Sequence, residues 1–278
     1  MGPERVEGQP PCCASTSSAC MAVTMITTED VAAAFDEVAP RYDLMVALNP
    51  GYHAHLRAAA EALVERLSAA SMEQPSARLL DLGCGSGAST RAVLEAARRA
   101  GISFNVVGVD ASSGMIEQAT AKQWPEGVRF QVGQAEEVAR SRGLWGLGDG
   151  VDGASAAYLF RNVRDRDALL AALFDVLAED GVLVVQEYSI AGSGLWPHVL
   201  WTAVCWLVII PLGWLTSRRT RLYRYLWRSV RSFDSIQTFV DRLYRAGFVD
   251  VEVRAVPGWQ RGILHTFRAR KPAPGAVG

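Results

Sequence analysis

A glycine-rich segment between Leu79 and Thr90, LLDLGCGSGAST, has the residue types and spacing to hold a small ligand. An apolar run that contains Asp81 is followed by three glycines at alternate positions and then by a stretch suited to a helix. Glycines there let the backbone turn tightly and approach a ligand with no Cβ in the way. We predict that the ligand contacts Asp81, Gly83, Gly85, Ser86 and Gly87.

A second carboxylate, Asp110, lies 27 residues after Gly83 at the end of the next apolar run. A carboxylate there is placed to accept both hydroxyls of a ribose. Gly83, Gly85 and Ala88 also satisfy the G-x-G-x-x-G/A pattern of dinucleotide sites, so an NAD(P)-dependent oxidoreductase is one alternative. Asp81 favours another cofactor, because a carboxylate attracts the positive amino group of an amino-acid-like molecule and repels a pyrophosphate.

The elements that must position these residues are short apolar runs that alternate with helix-period segments from Arg78 to Ser189. This alternation predicts an α/β fold, with a mostly parallel sheet and helices on both faces. Two helices precede it, one that Pro40 ends and one from Tyr52 to Ala70. We expect one domain (27–271) between two tails (1–26 and 272–278). Along the chain, the domain has four parts: lid helices (27–70), a cofactor-binding core (78–189), an apolar and basic insertion (190–232) and a last helix with two strands (233–271).

The insertion contains a 21-residue apolar stretch, Leu195 to Leu215, with four of the eight tryptophans. Its length could span a bilayer, but a single crossing would put the core and the last strands on opposite sides. Pro197 and Pro211 also interrupt a continuous helix, so we predict a hairpin-like or interfacial element that covers the site and dips into lipid. The alternatives are a substrate tunnel and a contact in a homodimer.

Positive charge is concentrated near the C-terminus, with 13 Lys/Arg and 4 Asp/Glu after Gly194 against 15 and 25 before it. Six arginines lie between Ser217 and Arg231. Beside an apolar stretch such a run favours an anionic membrane surface, and we expect no nucleic-acid partner. The few scattered cysteines predict a cytoplasmic protein, held peripherally at the inner face of the cell membrane. The four histidines form no ligand set with carboxylates, so no metal is expected.

The glycine segment with Asp81 and Asp110 resembles motifs I and II of class I S-adenosylmethionine-dependent methyltransferases. Other segments resemble the UbiE family of ubiquinone and menaquinone biosynthesis C-methyltransferases: 35–57 (FDEVAPRYDLMVALNPGYHAHLR), 159–165 (LFRNVRD) and parts of 223–271. The resemblance implies a class I, Rossmann-like fold with a seven-stranded sheet and S-adenosyl-L-methionine as cofactor. It adds four residues to the cofactor site: Ala111, Met115, Gln134, which would accept from the adenine amino group, and Ala135.

The resemblance also implies the reaction, methylation of a ring carbon of a prenylated quinol such as demethylmenaquinol. Arg161 stays protonated and would stabilise the phenolate or position a water. Tyr42 and Glu187 are the other expected catalytic residues, and Tyr188 and His265 are expected near the pocket. The apolar stretch is richer in Trp than the family leads us to expect. Methylation of another lipid or phenolic acceptor, and a non-catalytic membrane adaptor, therefore stay open.

Overall fold

The structure is a computed structural model that describes residues 28–49, 51–70, 76–148, 150–218 and 220–275. The predicted tail at 1–26 lies outside the described residues, as do residues 276–278 of the second tail. Within the described part of the chain, helices and strands run from Thr28 to Arg270.

A single mixed sheet organises the described residues. Its seven strands are β1 (Ala77–Leu82), β2 (Phe104–Asp110), β3 (Val128–Val132), β4 (Val151–Ala157), β5 (Leu177–Tyr188), β6 (Val249–Ala255) and β7 (Leu264–Arg270). They lie in the order β3-β2-β1-β4-β5-β7-β6, and β7 alone among them runs antiparallel to both its neighbours. The predicted α/β fold with a mostly parallel, seven-stranded sheet is confirmed.

Helices cover both faces of the sheet. They are α1 (Thr28–Asp36), α2 (Ala39–Ala47), α3 (Tyr52–Ala70), α4 (Ala88–Arg99), α5 (Ser113–Thr120), α6 (Arg166–Val176), α7 (Leu195–Val204), α8 (Ile210–Ser217), α9 (Arg221–Arg231) and α10 (Ile236–Arg245). Side chains alternate across a strand, so Leu79 packs with α3 and α4 while Leu80 packs with α6 and α10 on the other face. Two apolar cores result, one on each side.

The N-terminal helices differ from the prediction in two respects. Pro40 lies in the first turn of α2, where its missing N–H costs no helical hydrogen bond, so it begins a helix and does not end one. α3 has the predicted bounds, but its Leu63 and Leu67 are buried against the sheet, which makes it part of the core. The lid therefore consists of α1 and α2.

The apolar stretch forms one continuous helix, which we call the apolar helix: α7, a π-turn at Cys205–Ile209, and α8. The predicted hairpin is wrong. Pro197 lies in the first turn, where N–H groups have no helical partner, and the π-turn rearranges the backbone hydrogen bonds just before Pro211. Both prolines are thus accommodated without breaking the helix.

The apolar helix is apolar on both its inner and its outer face. Trp201 and Cys205 are buried on the inner face. The outer face is exposed, and its side chains include Leu195, Trp196, Val199, Trp206, Leu207, Trp214 and Leu215. The span Leu195–Leu215 is long and apolar enough to cross a membrane. However, β5 before it and β7 after it pair along seven residues of one sheet, and a crossing would put these two strands on opposite sides of the membrane.

Close packing between the apolar helix and α9 gives a test of this arrangement. A Cβ on Gly213 would overlap the ring of Tyr223, which is 1% exposed. We predict that Gly213→Ala lowers the free energy of unfolding by ~1–3 kcal/mol. In an unobstructed helix the same change raises stability by ~0.5–1 kcal/mol. Urea unfolding measures the sign, with Gly143→Ala, whose Cβ meets open space, as the control. A gain of stability at Gly213 would contradict the packing.

Candidate active site

Two cavities meet at the edge of the sheet where the parallel strands have their carboxyl ends. The first, the glycine-loop cavity, holds about 960 Å³ of empty space and lies against the loops after β1, β2, β3 and β4. The second, the apolar cavity, holds about 1260 Å³ beneath the apolar helix, α9 and α2. Both are lined by Phe35, Tyr42, Tyr52, Tyr158 and Arg161, which therefore form the junction between them.

The glycine-loop cavity collects most of the residues predicted to bind the cofactor: Gly83, Gly85, Ser86, Asp110, Ala111, Met115, Gln134 and Ala135. Gly85 has φ +55°, and a Cβ there would meet nothing within 4 Å, so its backbone borders open space. Asp110 accepts hydrogen bonds of 2.9 Å from the N–H groups of Gly85 and Ser112. Burial raises the pKa of Asp110, and these two donors oppose the rise.

This donor set fits an adenosyl group. Asp110 lies at the end of β2 for the ribose, and Gln134 and Ala135 follow β3 for the adenine. The glycine backbone leaves room beside them for the rest of the molecule. The individual contacts of these residues with a cofactor stay predictions.

Two of the predicted cofactor residues lie behind the cavity wall and not on it. Asp81 is 1% exposed, and its carboxylate accepts from the hydroxyls of Ser89 (2.7 Å), Thr90 (2.6 Å) and Ser155 (2.8 Å). Three hydroxyls already satisfy it, so Asp81 braces the start of α4 and does not face a ligand. Gly87 is the N-cap of α4 at φ +91°, and a Cβ there would come within 2.7 Å of Trp124. Its role is in the turn itself.

A buried ion pair dominates the junction. A guanidinium nitrogen of Arg161 lies 2.6 Å from Glu187, and the two side chains are 7% and 0% exposed. Glu187 also accepts from the backbone N–H groups of Arg161 (3.2 Å) and Tyr188 (2.9 Å). Donors from two neighbouring strand ends thus hold one carboxylate, and the charge of the guanidinium strengthens its own bond. The arginine lies where the two cavities touch.

The environment of Arg161 keeps it charged. Burial opposes its charge, but the carboxylate of Glu187 outweighs this and raises the pKa of Arg161. Its guanidinium carbon lies 5.5 Å from the ring centre of Tyr158 and 5.7 Å from that of Tyr188. Its buried Nε has no hydrogen-bond partner among the described residues. Arg161 is therefore a fixed cation at the cavity junction, and its Nε–H is a hydrogen-bond donor that a ligand can use.

The structure corrects the places expected for Glu187 and His265. Glu187 lines neither cavity, because its side chain points back beneath Arg161, so it can only act through that arginine. His265 lies opposite Glu187 on β7, is 3% exposed and lines neither cavity. Tyr42 lines both cavities and Tyr188 lines the apolar one, as expected of pocket residues.

Several residues at the site were not predicted from the sequence. Tyr158 follows β4 with φ +60°, which turns its side chain between the rings of Tyr52 (5.7 Å) and Tyr188 (5.3 Å). No spacing rule gives such a stack, because its members come from three distant elements. Asp36 and Asp43 belong to the segment that carries the family resemblance, and that membership was the only signal for them.

Asp36 and Asp43 hold the lid over the glycine-loop cavity. Asp43 accepts a 2.5 Å hydrogen bond from the Ser86 hydroxyl and forms a 2.6 Å ion pair with Lys122. Burial opposes the charge of Asp43, but Lys122 and Ser86 outweigh it and lower its pKa. Asp36 accepts from the hydroxyl of Ser112 at 2.6 Å. The loops that carry Ser86 and Ser112 also line the cavity, so the lid and the ligand share the same supports.

Loss of the Asp43 contact should weaken cofactor binding. We predict that Asp43→Asn raises the Kd for S-adenosylhomocysteine about fivefold, or ~1 kcal/mol, because the ion pair it removes is half-exposed. Titration calorimetry gives the Kd. Glu61→Gln, which removes an exposed ion pair with Arg99 at the C-terminal end of α4, is the matched control and should change nothing. Equal effects of the two variants would show that the lid contact does not support the site.

Comparison with known proteins places this geometry in a family. The model of the ubiE/COQ5 methyltransferase family matches residues 23–271. The chain is 32% identical over 216 residues to a demethylmenaquinone methyltransferase of Thermus thermophilus, covering 77% of this chain and 90% of that one. It is 31% identical over 248 residues to a ubiquinone/menaquinone biosynthesis C-methyltransferase UbiE of Syntrophotalea carbinolica, covering 89% and 96%.

Solved structures support the fold. Phosphoethanolamine N-methyltransferase 2 of Haemonchus contortus, in complex with phosphomonomethylethanolamine and S-adenosylhomocysteine, aligns with a TM-score of 0.58 and 15% identity over 90% of this chain and 61% of that one. The alternatives of an oxidoreductase and of a non-catalytic adaptor give way to these findings. The chain belongs to the ubiE/COQ5 methyltransferase family and is an S-adenosylmethionine-dependent methyltransferase of class I fold.

Proposed function

We propose that this enzyme methylates a ring carbon of a prenylated quinol, such as demethylmenaquinol, at the cytoplasmic surface of the membrane. The observation that carries the proposal is the position of Arg161, a buried cation at the junction of a cofactor cavity and a large apolar cavity. Relatives named for demethylmenaquinone and for ubiquinone/menaquinone biosynthesis support the acceptor class.

Arg161 suits the chemistry of a phenolic acceptor. When bound in the glycine-loop cavity, S-adenosylmethionine would supply an electrophilic methyl group and leave as S-adenosylhomocysteine once its sulfur–methyl bond breaks. A quinol that loses one hydroxyl proton becomes a phenolate whose ring carbon is nucleophilic, and that carbon forms the new bond to the methyl and then releases its own hydrogen as a proton. Because Arg161 stays charged it takes neither proton, and both pass to water. Its charge stabilises the phenolate oxygen in a largely buried site.

The tyrosines of the junction shape this site. Burial raises the pKa of Tyr42, and a hydrogen bond with Tyr52 opposes the rise. Burial also raises the pKa of Tyr52 well above its usual value. Both hydroxyls are therefore protonated at neutral pH, so they act as hydrogen-bond donors and not as bases, and the rings form part of the cavity wall. Tyr42 comes from α2, so the lid supplies part of the junction.

The apolar cavity suits the isoprenoid part of the acceptor. Its wall is mostly aliphatic and aromatic, with side chains from α2, the apolar helix and α9, and its polar members away from the junction include Asn49 and Gln260. Burial of a hydrocarbon chain there is favourable by ~25 cal/mol per Å² of apolar surface. The buried inner face of the apolar helix thus supports the tunnel alternative, while its exposed outer face supports contact with lipid.

The outer surface of the insertion has the chemistry of a membrane interface. The apolar helix exposes Trp196 (71%), Leu207 (76%) and Leu215 (65%). The neighbouring helix α9 buries leucine, tyrosine and valine side chains on one side. Its other side exposes four arginines: Arg221, Arg224, Arg228 and Arg231. Peripheral anchoring at a membrane needs two signals. One is apolar side chains that enter the acyl region, and the other is cations that bind anionic headgroups.

The acceptor is tested directly with labelled cofactor. Purified enzyme, S-adenosylmethionine with a labelled methyl group and reduced demethylmenaquinol should give labelled menaquinol, detected by mass spectrometry. Arg161→Ala together with Glu187→Gln, which leaves no unpaired buried charge, should lower kcat by ~10²–10³, the effect of losing one oxyanion donor. Arg99→Ala, which removes an exposed arginine on α4, is the control. Label in another lipid or phenol from a reduced lipid extract, with quinols unlabelled, would contradict the quinol proposal.

Membrane binding is tested on the outer face of the apolar helix. We predict that the triple variant Trp196→Ser, Leu207→Ser and Leu215→Ser loses at least about tenfold in co-sedimentation with vesicles containing anionic lipid, because each side chain loses apolar burial. Its kcat on a short-chain, water-soluble quinol should be unchanged. Leu144→Ser, at a leucine that is 81% exposed elsewhere on the surface, is the control. Unchanged sedimentation of the triple variant would contradict a membrane role for this face.

A further inference from the structure

The loop between β6 and β7, residues 256–263, extends to the apolar cavity. Leu264 pairs with Tyr188 across β7 and β5, so the residues just before it lie beside the end of β5. The backbone of the loop is fixed where the carbonyl of Gln260 accepts from the N–H groups of Ile263 (2.9 Å) and Leu264 (3.0 Å). Gln260 thereby becomes part of the cavity wall.

The amide of Gln260 is buried among apolar groups and incompletely hydrogen-bonded. The residue is 2% exposed and lies beside the apolar cluster formed by Tyr188, Trp201 and neighbouring side chains. Its Nε2 is 3.5 Å from the Tyr188 hydroxyl, at the limit of a hydrogen bond, and its Oε1 accepts from no residue that the structure describes. A buried amide in this condition is costly unless a ligand satisfies it.

Gln260 and Arg161 stand at the same end of the apolar cavity, with one tyrosine between them. The Arg161 guanidinium lies 5.7 Å from the ring centre of Tyr188, while the Gln260 amide lies next to the hydroxyl of that ring. The rest of the cavity surface is mostly apolar, and its other polar side chains are Asn49 and tyrosines. An aromatic acceptor with one polar substituent would need Arg161 alone, whereas two oxygens on opposite sides of the ring need a second polar partner.

We propose that Gln260 binds the second ring oxygen of the acceptor, and that it makes the enzyme select 1,4-dihydroxy aromatic acceptors over monohydroxy phenols. This inference rests on the proposed function. Arg161 holds the oxygen that loses its proton, and the Gln260 amide hydrogen-bonds the hydroxyl on the opposite side of the ring. With both oxygens held, one ring carbon is fixed towards the methyl donor.

The test compares two acceptors that differ in one hydroxyl: a short-chain 2-alkyl-1,4-naphthoquinol and the 2-alkyl-naphthol that lacks the hydroxyl at position 1. This naphthol keeps the hydroxyl at position 4, whose phenolate makes the neighbouring free ring carbon nucleophilic. Gln260→Met removes the amide at similar volume. We expect KM for the quinol to rise about tenfold, or ~1.4 kcal/mol, while KM for the naphthol and for S-adenosylmethionine stays within about twofold. Gln260→Glu keeps an acceptor oxygen and should retain more of the preference. Gln237→Leu, at an exposed glutamine of α10, is the control.

The outcomes separate the inference from the proposed function. Wild-type turnover of the quinol supports the proposed function, and a Gln260→Met effect confined to the quinol then supports the inference. An equal effect on both acceptors, or none, overturns the role of Gln260 while the proposed function stands. Absence of wild-type turnover of the quinol overturns both. An unchanged Kd for S-adenosylhomocysteine shows that each variant is folded.

Discussion

The buried ion pair between Arg161 and Glu187 is the interaction on which the rest of the site depends. A charge without a partner at this depth would cost several kcal/mol, so neither residue is tolerated there alone. Glu187 is rigid because β5 lies between β4 and β7 in the middle of the sheet, and Arg161 follows shortly after the end of β4. The sheet thus fixes a cation at a point that solvent hardly reaches.

The chemistry of the two cavities suits two different ligands. The glycine-loop cavity has a carboxylate, an amide and exposed backbone, which suit a polar cofactor. The surface of the apolar cavity is mostly apolar, which suits a hydrocarbon chain. The lid carboxylates Asp36 and Asp43 accept hydrogen bonds from serines on the cofactor loops, and Tyr42 of the lid faces both cavities, so the lid contacts both sides of the site. A lid that excludes water also strengthens the electrostatic effect of Arg161.

Local patterns predicted the sheet well and the polar interior less well. The strands from β1 to β5 and the glycine segment follow from periodicity and turn chemistry, which are properties of neighbouring residues. The direction of a buried carboxylate depends on its partners. Asp81 was expected to meet a ligand and instead meets three hydroxyls, one of which comes from β4, 74 residues away. Glu187 was expected in the pocket, and its side chain is drawn beneath Arg161.

Tertiary context also overrode two rules about proline. Pro40 begins a helix and Pro211 lies within one, because a first turn and a π-turn remove the need for the missing N–H. Gln260 had no sequence signal at all, since only the pairing of β5 with β7 brings its loop to the cavity. The family, the cofactor loop and the arginine could be predicted from sequence alone, whereas the pairing of distant polar groups could not.

The most direct test is the position of a bound acceptor. A crystal structure of the enzyme with S-adenosylhomocysteine and a short-chain reduced naphthoquinol gives the distance between the Arg161 guanidinium and the nearest ring oxygen. We predict a hydrogen bond of about 2.7–3.2 Å, with the alkyl chain in the apolar cavity. A ring bound with its oxygens away from Arg161, and its chain outside that cavity, would contradict the role of this arginine.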